Sequence, residues 1–212
     1  MFAWGIAALI SLSGALSGCA CHDQSGKSSE NPAGAQAALD GLRAELLRLR
    51  EVDQTAREAS IERPGDASIS AELADIDRYD TEFLASVVDK HGWPGKSLVG
   101  EEAAAAAWLL IQHSNDLAFQ VRCLDLMRGL PQGEVDPVNL AYLEDRVLMH
   151  QGKRQIYGTQ FHEVNGVMEL YPVEDEGQLD ARRDRLGLPS MSEYRRQILD
   201  TYEHSPSAAS GK

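Results

Sequence analysis

His113 and Asp116, two side chains able to exchange a proton, and Gln120, a hydrogen-bonding amide, follow one another at spacings of three and four residues. A continuous helix brings all three to one face, and an imidazole beside a carboxylate is the pairing of a general base with its orienting group. Asp145 falls on the apolar stripe of Val138, Ala141 and Leu148. Arg146, next to it, is a cation able to stabilise developing negative charge. Further on, Tyr157 and Gln160 flank Gly158, whose missing side chain leaves one strand face open to a ligand or a helix. Asp53 interrupts the stripe of an earlier helix, with Arg57 at ion-pair spacing one turn later. A buried carboxylate is costly unless paired, so Asp53 and Asp145 each require a donor. Arg57, Arg146 and Arg182 are the candidates.

Two arrangements account for these residues. In the first, His113, Asp116, Asp145, Arg146, Tyr157 and Gln160 line a polar pocket where central helices meet a hairpin, with Gln120 and Arg182 as further ligand contacts. Such a pocket suits a hydrolase or transferase whose candidate catalytic residues are His113, Asp116, Asp145 and Arg146. In the second, the same groups satisfy helix ends and one another and lock the hairpin onto the helices, because buried polar groups must be paired. The second carries slightly more weight, since a His–Asp spacing of three arises by chance in many helices. The expectation is then a non-catalytic domain binding a small ligand or an envelope protein, with enzymatic activity left open.

Other signatures fall away. Gly95-Lys96-Ser97 ends like a phosphate loop, but Lys90 stands where the first glycine belongs and a helix comes before it. No Gly-x-Ser-x-Gly surrounds Ser114. His and Cys residues show no metal-ligand spacing, so neither metal nor cofactor is expected. The net charge of −13, without any basic run, repels phosphate backbones and argues against nucleic acid as a partner. A hydrophobic content of 43% excludes wholesale disorder.

The elements that must position these groups read as helix after helix, then one hairpin, then two short helices. Leu39, Leu42, Leu46 and Leu49 recur at helical spacing and predict a helix from Ala38 to Glu62. A second runs from Ser70 to His91, stopped by Gly92 and Trp93-Pro94. Ala103 to Ile111 is apolar on every side, the mark of a central buried helix. Helix resumes from Ser114 or Asn115 to Leu130, either continuous or kinked at Ser114. Asp136-Pro137 supplies a cap and a first-turn proline for a helix to His150. Asn165-Gly166 suits a type I′ turn and sets Val164 opposite Val167, Phe161 opposite Leu170 and Gln160 opposite Tyr171. Tyr157, Phe161, Met168 and Leu170 then share the face that packs on the helices. Asp180 to Leu186 predicts a short helix, and Ser190 with Glu193 has capping-box spacing for a last one through Tyr202. The fold class is mainly α, a helical bundle-like domain with one C-terminal β-hairpin.

The N-terminus speaks of location. Phe2 to Leu16 is apolar and too short to span a membrane, but right for a secretory signal. It ends in Leu16-Ser17-Gly18-Cys19, which resembles the bacterial lipobox, although no Lys or Arg precedes the run. The resemblance implies cleavage before Cys19 and a lipid anchor on that residue, making the membrane a partner. An uncleaved N-terminal helix is the alternative. Ala20 in place of Asp favours the outer membrane in a Gram-negative cell. The chain then divides into a signal over 1–18, a flexible tether over 19–37, the helical domain over 38–203 with its hairpin at 155–173, and a disordered tail over 204–212. Export permits a Cys21–Cys123 disulfide, but Cys123 sits in an apolar run and reads as a small buried hydrophobe.

Gly92-Trp93-Pro94, Gln112-His113 with Asp116, Asp145-Arg146 and Tyr157-Gly158-Thr159-Gln160, followed by Arg183 and Gly187-Leu188, stand in a distinctive order. From Asp53 to Tyr194 the chain resembles a bacterial family of domains without assigned function. The resemblance implies a mostly helical domain, often exported or lipid-anchored, and supplies no catalytic residue.

Overall fold

The computed structural model describes residues 32–165 and 167–203. The predicted signal, the lipidation residue Cys19, the first part of the tether and the tail lie outside the described residues. Among the described residues no helix is long and apolar enough to cross a membrane.

The architecture is mainly helical, with one two-stranded antiparallel hairpin near the C-terminus, as the periodicity predicts. Helix α1 spans Pro32–Glu62 and starts six residues before the predicted Ala38. Proline is tolerated there because a first-turn N–H has no intrahelical partner to lose. Helix α2 spans Ala67–His91 and begins before Ser70 because the Asp66 side chain accepts from the N–H groups of Ser68 and Ile69. After a single turn, α3 (Lys96–Val99), α4 (Glu101–His113) runs through the centre. Its Ala103, Ala106 and Ala107 are buried with Leu110 and Ile111, against Leu46 and Leu49 of α1 and Leu84 and Val88 of α2. Alanines on the central helix let its neighbours approach closely, and each leucine buried there contributes roughly 1.5–3 kcal/mol.

The helix neither continues nor kinks after His113; it ends. Ser114 is extended, and α5 (Leu117–Arg128) starts afresh with Asp116 as its cap, accepting from the Phe119 N–H at 2.9 Å. The shared face of His113, Asp116 and Gln120 therefore does not exist. Helix α6 (Pro137–His150) opens on Asp136 and Pro137 as predicted.

The hairpin pairs β1 (Phe161–Val164) with β2 (Val167–Leu170) in the expected register, Val164 opposite Val167 and Phe161 opposite Leu170. Asn165 takes the positive φ that the turn demands. The strands are shorter than predicted. Residues 155–160 form no ladder beyond one bridge from Gln155 to Val173, because the N–H groups of Ile156, Tyr157 and Thr159 are drawn onto a buried carboxylate and that of Gln160 onto the Gln155 side chain, and cannot also pair in a sheet. Phe161, Met168 and Leu170 pack on Tyr142, Met191, Tyr194 and Ile198. Tyr157, predicted on that face, is absent from the cluster, since it belongs to the loop rather than to the strand. Helices α7 (Leu179–Asp184) and α8 (Met191–Glu203) close the chain. Ser190 and Glu193 make the reciprocal bonds of a capping box.

Candidate functional site

Asp145 projects from the middle of α6 and is fully buried. One carboxylate oxygen accepts from the N–H groups of Ile156 at 2.7 Å and Tyr157 at 3.0 Å. The other accepts from the Thr159 N–H at 2.9 Å and its hydroxyl at 3.0 Å. This corrects the expectation of an arginine partner: a loop folded round the carboxylate supplies the donors instead. Burial pushes the Asp145 carboxyl above the usual range, opposed by those same backbone groups. Gln155 staples the loop from its other side, donating to the carbonyls of Gln160 and Tyr171 and accepting from the Gln160 N–H. The Gln160 amide in turn donates to the Thr159 hydroxyl. Arg182 donates to the Ile156 carbonyl at 2.8 Å, and Arg183 to the carbonyls of Tyr157 and Pro189. The Arg183 guanidinium also lies over the Tyr194 ring, 4.7 Å from its centroid. Gly158 adopts φ +65°, and a Cβ there would come within 3.2 Å of Met191 Sδ. The open strand face is thus closed by the start of α8.

His113 and Asp53 meet elsewhere, between α1 and the end of α4. Both oxygens of the buried Asp53 lie 2.9 Å from His113 Nδ1. Arg57 donates from Nε to Asp53 at 3.0 Å and from a terminal nitrogen to Asp77 of α2. Gln54 donates to the other Asp53 oxygen. Burial pushes Asp53 up, but its bond to His113 and the charge of Arg57 prevail and leave it below the usual carboxylate range. Burial also holds the His113 imidazole below its ordinary value, against the pull of Asp53. Arg57 Nε also approaches the same Nδ1, at 2.9 Å; in the tautomer whose Nδ1 proton faces Asp53, Nε2 keeps a lone pair. Asp77 is raised by burial, with Arg57 opposing.

Arg146 stands between these two clusters. Its only hydrogen bond among the described residues runs from Nε to Gln112 Oε1 at 2.6 Å, and no carboxylate pairs with it. Burial, aided by the neighbouring charge of Arg57, pushes its guanidinium down to about 10, so it stays cationic at neutral pH. Its charge reaches His113 as well. Gln112 is buried and its Nε2 has no partner.

The six residues expected to line one pocket are therefore divided. Asp145, Tyr157 and Gln160 belong to the loop cage, where Tyr157 contributes its backbone and Arg182 reinforces. His113 belongs with Asp53, Arg57 and Asp77; Arg146 belongs with Gln112. Asp116 is exposed at a helix cap. Gln120 donates to the carbonyls of Ile111 and Ser114 and accepts from or faces His150 Nδ1 at 3.2 Å, bridging the break between α4 and α5. Sequence reasoning missed Gln112, Asp77 and Asp80. Asp80 carried a legible signal, because it falls on the Leu73, Ile76, Leu84, Val87 stripe just as Asp53 does on its own. Among the described residues no group of three or more His, Cys, Asp or Glu could hold a metal ion.

A helical domain with an appended hairpin, carrying one carboxylate caged by backbone and a separate His–Asp–Arg cluster, is the class that fold and site define. The chain belongs to a family of unknown function, DUF6624, whose model matches residues 40–205. No curated protein and no solved structure matches it.

Proposed function

We propose that this protein is a cell-envelope lipoprotein, held to the membrane through an acylated Cys19, whose helical domain binds a small anionic ligand at Arg146 without transforming it. The ligand class is a carboxylate or phosphate. Arg146 carries this reading. Its Nε donates to Gln112 Oε1 and no carboxylate among the described residues pairs with its charge, which burial penalises and a bound anion offsets. The unpartnered Gln112 Nε2 supplies a second donor beside it. The lipobox-like Leu16-Ser17-Gly18-Cys19 supports the anchor, and acyl chains contribute roughly 0.8 kcal/mol per buried methylene. Ala20 after the cysteine supports the outer membrane in a Gram-negative cell.

Thermal unfolding of the full chain in non-ionic detergent, with and without inorganic phosphate or acetate, tests the ligand. A saturating anion raises the midpoint by mass action, and Arg146→Leu abolishes the shift. A shift that survives Arg146→Leu refutes the assignment. Mass spectrometry of the exported protein tests the anchor: an acylated Cys19 N-terminus is expected, and an intact Met1 overturns it.

A second reading rests on His113. Its Nδ1 is fixed by Asp53, leaving Nε2 as the lone-pair nitrogen of a general base, with Arg146 in electrostatic reach. The protein is then a hydrolase or transferase on an envelope substrate, with Asp53 rather than Asp116 as orienting group. Hydrolysis of nitrophenyl ester or phosphodiester probes, lost in His113→Gln, would favour it over simple binding.

A further inference from the structure

The outer seam between α1 and α2 holds a groove of about 700 Å³, within the size range of small-molecule sites. Leu49 and Val52 of α1 and Ile76 and Tyr79 of α2 give it apolar walls, with Val52 39% and Tyr79 51% exposed. Asp80 lies in its floor, only 3% exposed, and its Oδ2 has no hydrogen-bond partner. A buried carboxylate oxygen without a donor is an anomaly that native proteins rarely carry without a use. The other charges of the groove do not supply the missing partner. Arg78 is paired with Asp75 at 3.0 Å, and Arg48 with Glu45 at 2.6 Å. Glu72, which also lines the groove, adds a further negative charge.

We propose that this groove binds a primary amine or guanidinium carried on an apolar body, with the cationic head on Asp80 and the body along Val52, Ile76 and Tyr79. A cation is the complement of an unpaired carboxylate, and apolar walls select an organic cation over a hydrated inorganic one. The site is separate from Arg146 and independent of the anion reading. Its occupancy depends on pH, because burial and then the charges of Asp53 and Asp77 push Asp80 up to about 7, against Arg57 and Arg48. These groups face it from α1 and α2, and His113 of α4 enters through its bond to Asp53. Binding therefore strengthens as pH rises through that value and the carboxyl ionises.

The test is calorimetric or NMR titration of the full chain in non-ionic detergent with n-hexylammonium chloride, and with n-hexanol as the uncharged body. Saturable ammonium binding is expected at about pH 8, weakened roughly tenfold or more at about pH 5.5 and in Asp80→Asn. The carboxamide keeps the shape of the side chain and removes the buried charge, so this variant folds, as near-UV circular dichroism will show. Val52→Lys, on an exposed position, gives an independent check: a tethered ammonium at the rim competes and weakens binding. Arg146→Leu leaves it unchanged. Equal binding of hexanol, equal affinity in Asp80→Asn and Val52→Lys, or no saturable binding at millimolar ammonium would each overturn the proposal.

Discussion

Asp145→Ala removes an acceptor on which four donors converge: the N–H groups of Ile156, Tyr157 and Thr159, and the Thr159 hydroxyl. A buried donor left without a partner costs roughly 1–3 kcal/mol. Ile156 and Tyr157 are only partly buried and can turn toward water, whereas Thr159 is 5% exposed and cannot. Its hydroxyl recovers little, since it already accepts from Gln160. Relief of the buried charge returns part of the loss, and the vacated side-chain volume adds to it. The balance is a destabilisation of roughly 3–5 kcal/mol, the range for breaking a buried charged network from one side. For a domain of this size that lowers the unfolding midpoint by roughly 10 °C. Asp145→Asn falls between, because one oxygen still accepts while the new amide N–H groups confront donors. Urea unfolding followed by circular dichroism measures the loss, and amide hydrogen exchange locates it at 156, 157 and 159. A loss below about 1 kcal/mol, with those amides still protected, would refute the argument that this loop is folded by the carboxylate.

Four further outcomes follow from the same geometry. With Asp80 raised from 3.8 to about 7, the native state binds more protons than the unfolded chain between those values, so its contribution to stability declines as pH rises through that window; Asp80→Asn should flatten this limb and stabilise the protein by roughly 2–4 kcal/mol above it, measured by urea unfolding across pH. His113 runs the other way, because a lowered imidazole pKa makes stability fall as pH drops below its unfolded value near 6.5. Arg57→Met strands Asp53 with only His113 and Gln54, costing about 3 kcal/mol, and the loss should shrink in acid as Asp53 takes up a proton. Gly158→Ala places a Cβ at φ +65° and 3.2 Å from Met191 Sδ, so a loss of about 1–2 kcal/mol is expected in thermal unfolding; Met191→Ala in the same chain should return the part due to contact and leave the part due to backbone.

The helices were legible because their signals are local. The Leu39–Leu49 stripe, Asp136-Pro137 and the Ser190–Glu193 box each fix a backbone conformation within one or two turns, and the Asn165-Gly166 turn sets its own register. What failed was non-local. Ser114-Asn115-Asp116 offers cap-forming side chains that point to a restart, but whether the helix kinks or ends there is decided from the next helix by Gln120, which takes up the Ile111 and Ser114 carbonyls. The strand predicted over 155–160 was lost for the same reason, to an aspartate ten residues upstream on another element.

The two misplaced interior aspartates show why burial was readable and partnership was not. An acidic residue on an apolar stripe announces that it faces inward, and both Asp53 and Asp145 do. Its donor depends on what tertiary packing brings opposite. Asp53 lies mid-helix with Arg57 one turn away, so part of its pairing is written in its own element and the rest comes from His113 across the core. Asp145 faces a segment whose backbone N–H groups are unpaired, and these take it, while Arg182 and Arg183 are held on the carbonyls of the same loop. That difference sets what each can do. A carboxylate spent on three backbone amides cannot leave them without unfolding its loop, whereas one that orients an imidazole and shares an arginine can redistribute a proton without moving the chain. Ligand-linked or pH-linked behaviour of this domain accordingly belongs to Asp80 and to the Asp53–His113–Arg146 side rather than to the loop cage, and substitutions at Asp145, Thr159 and Gln155 should change stability first.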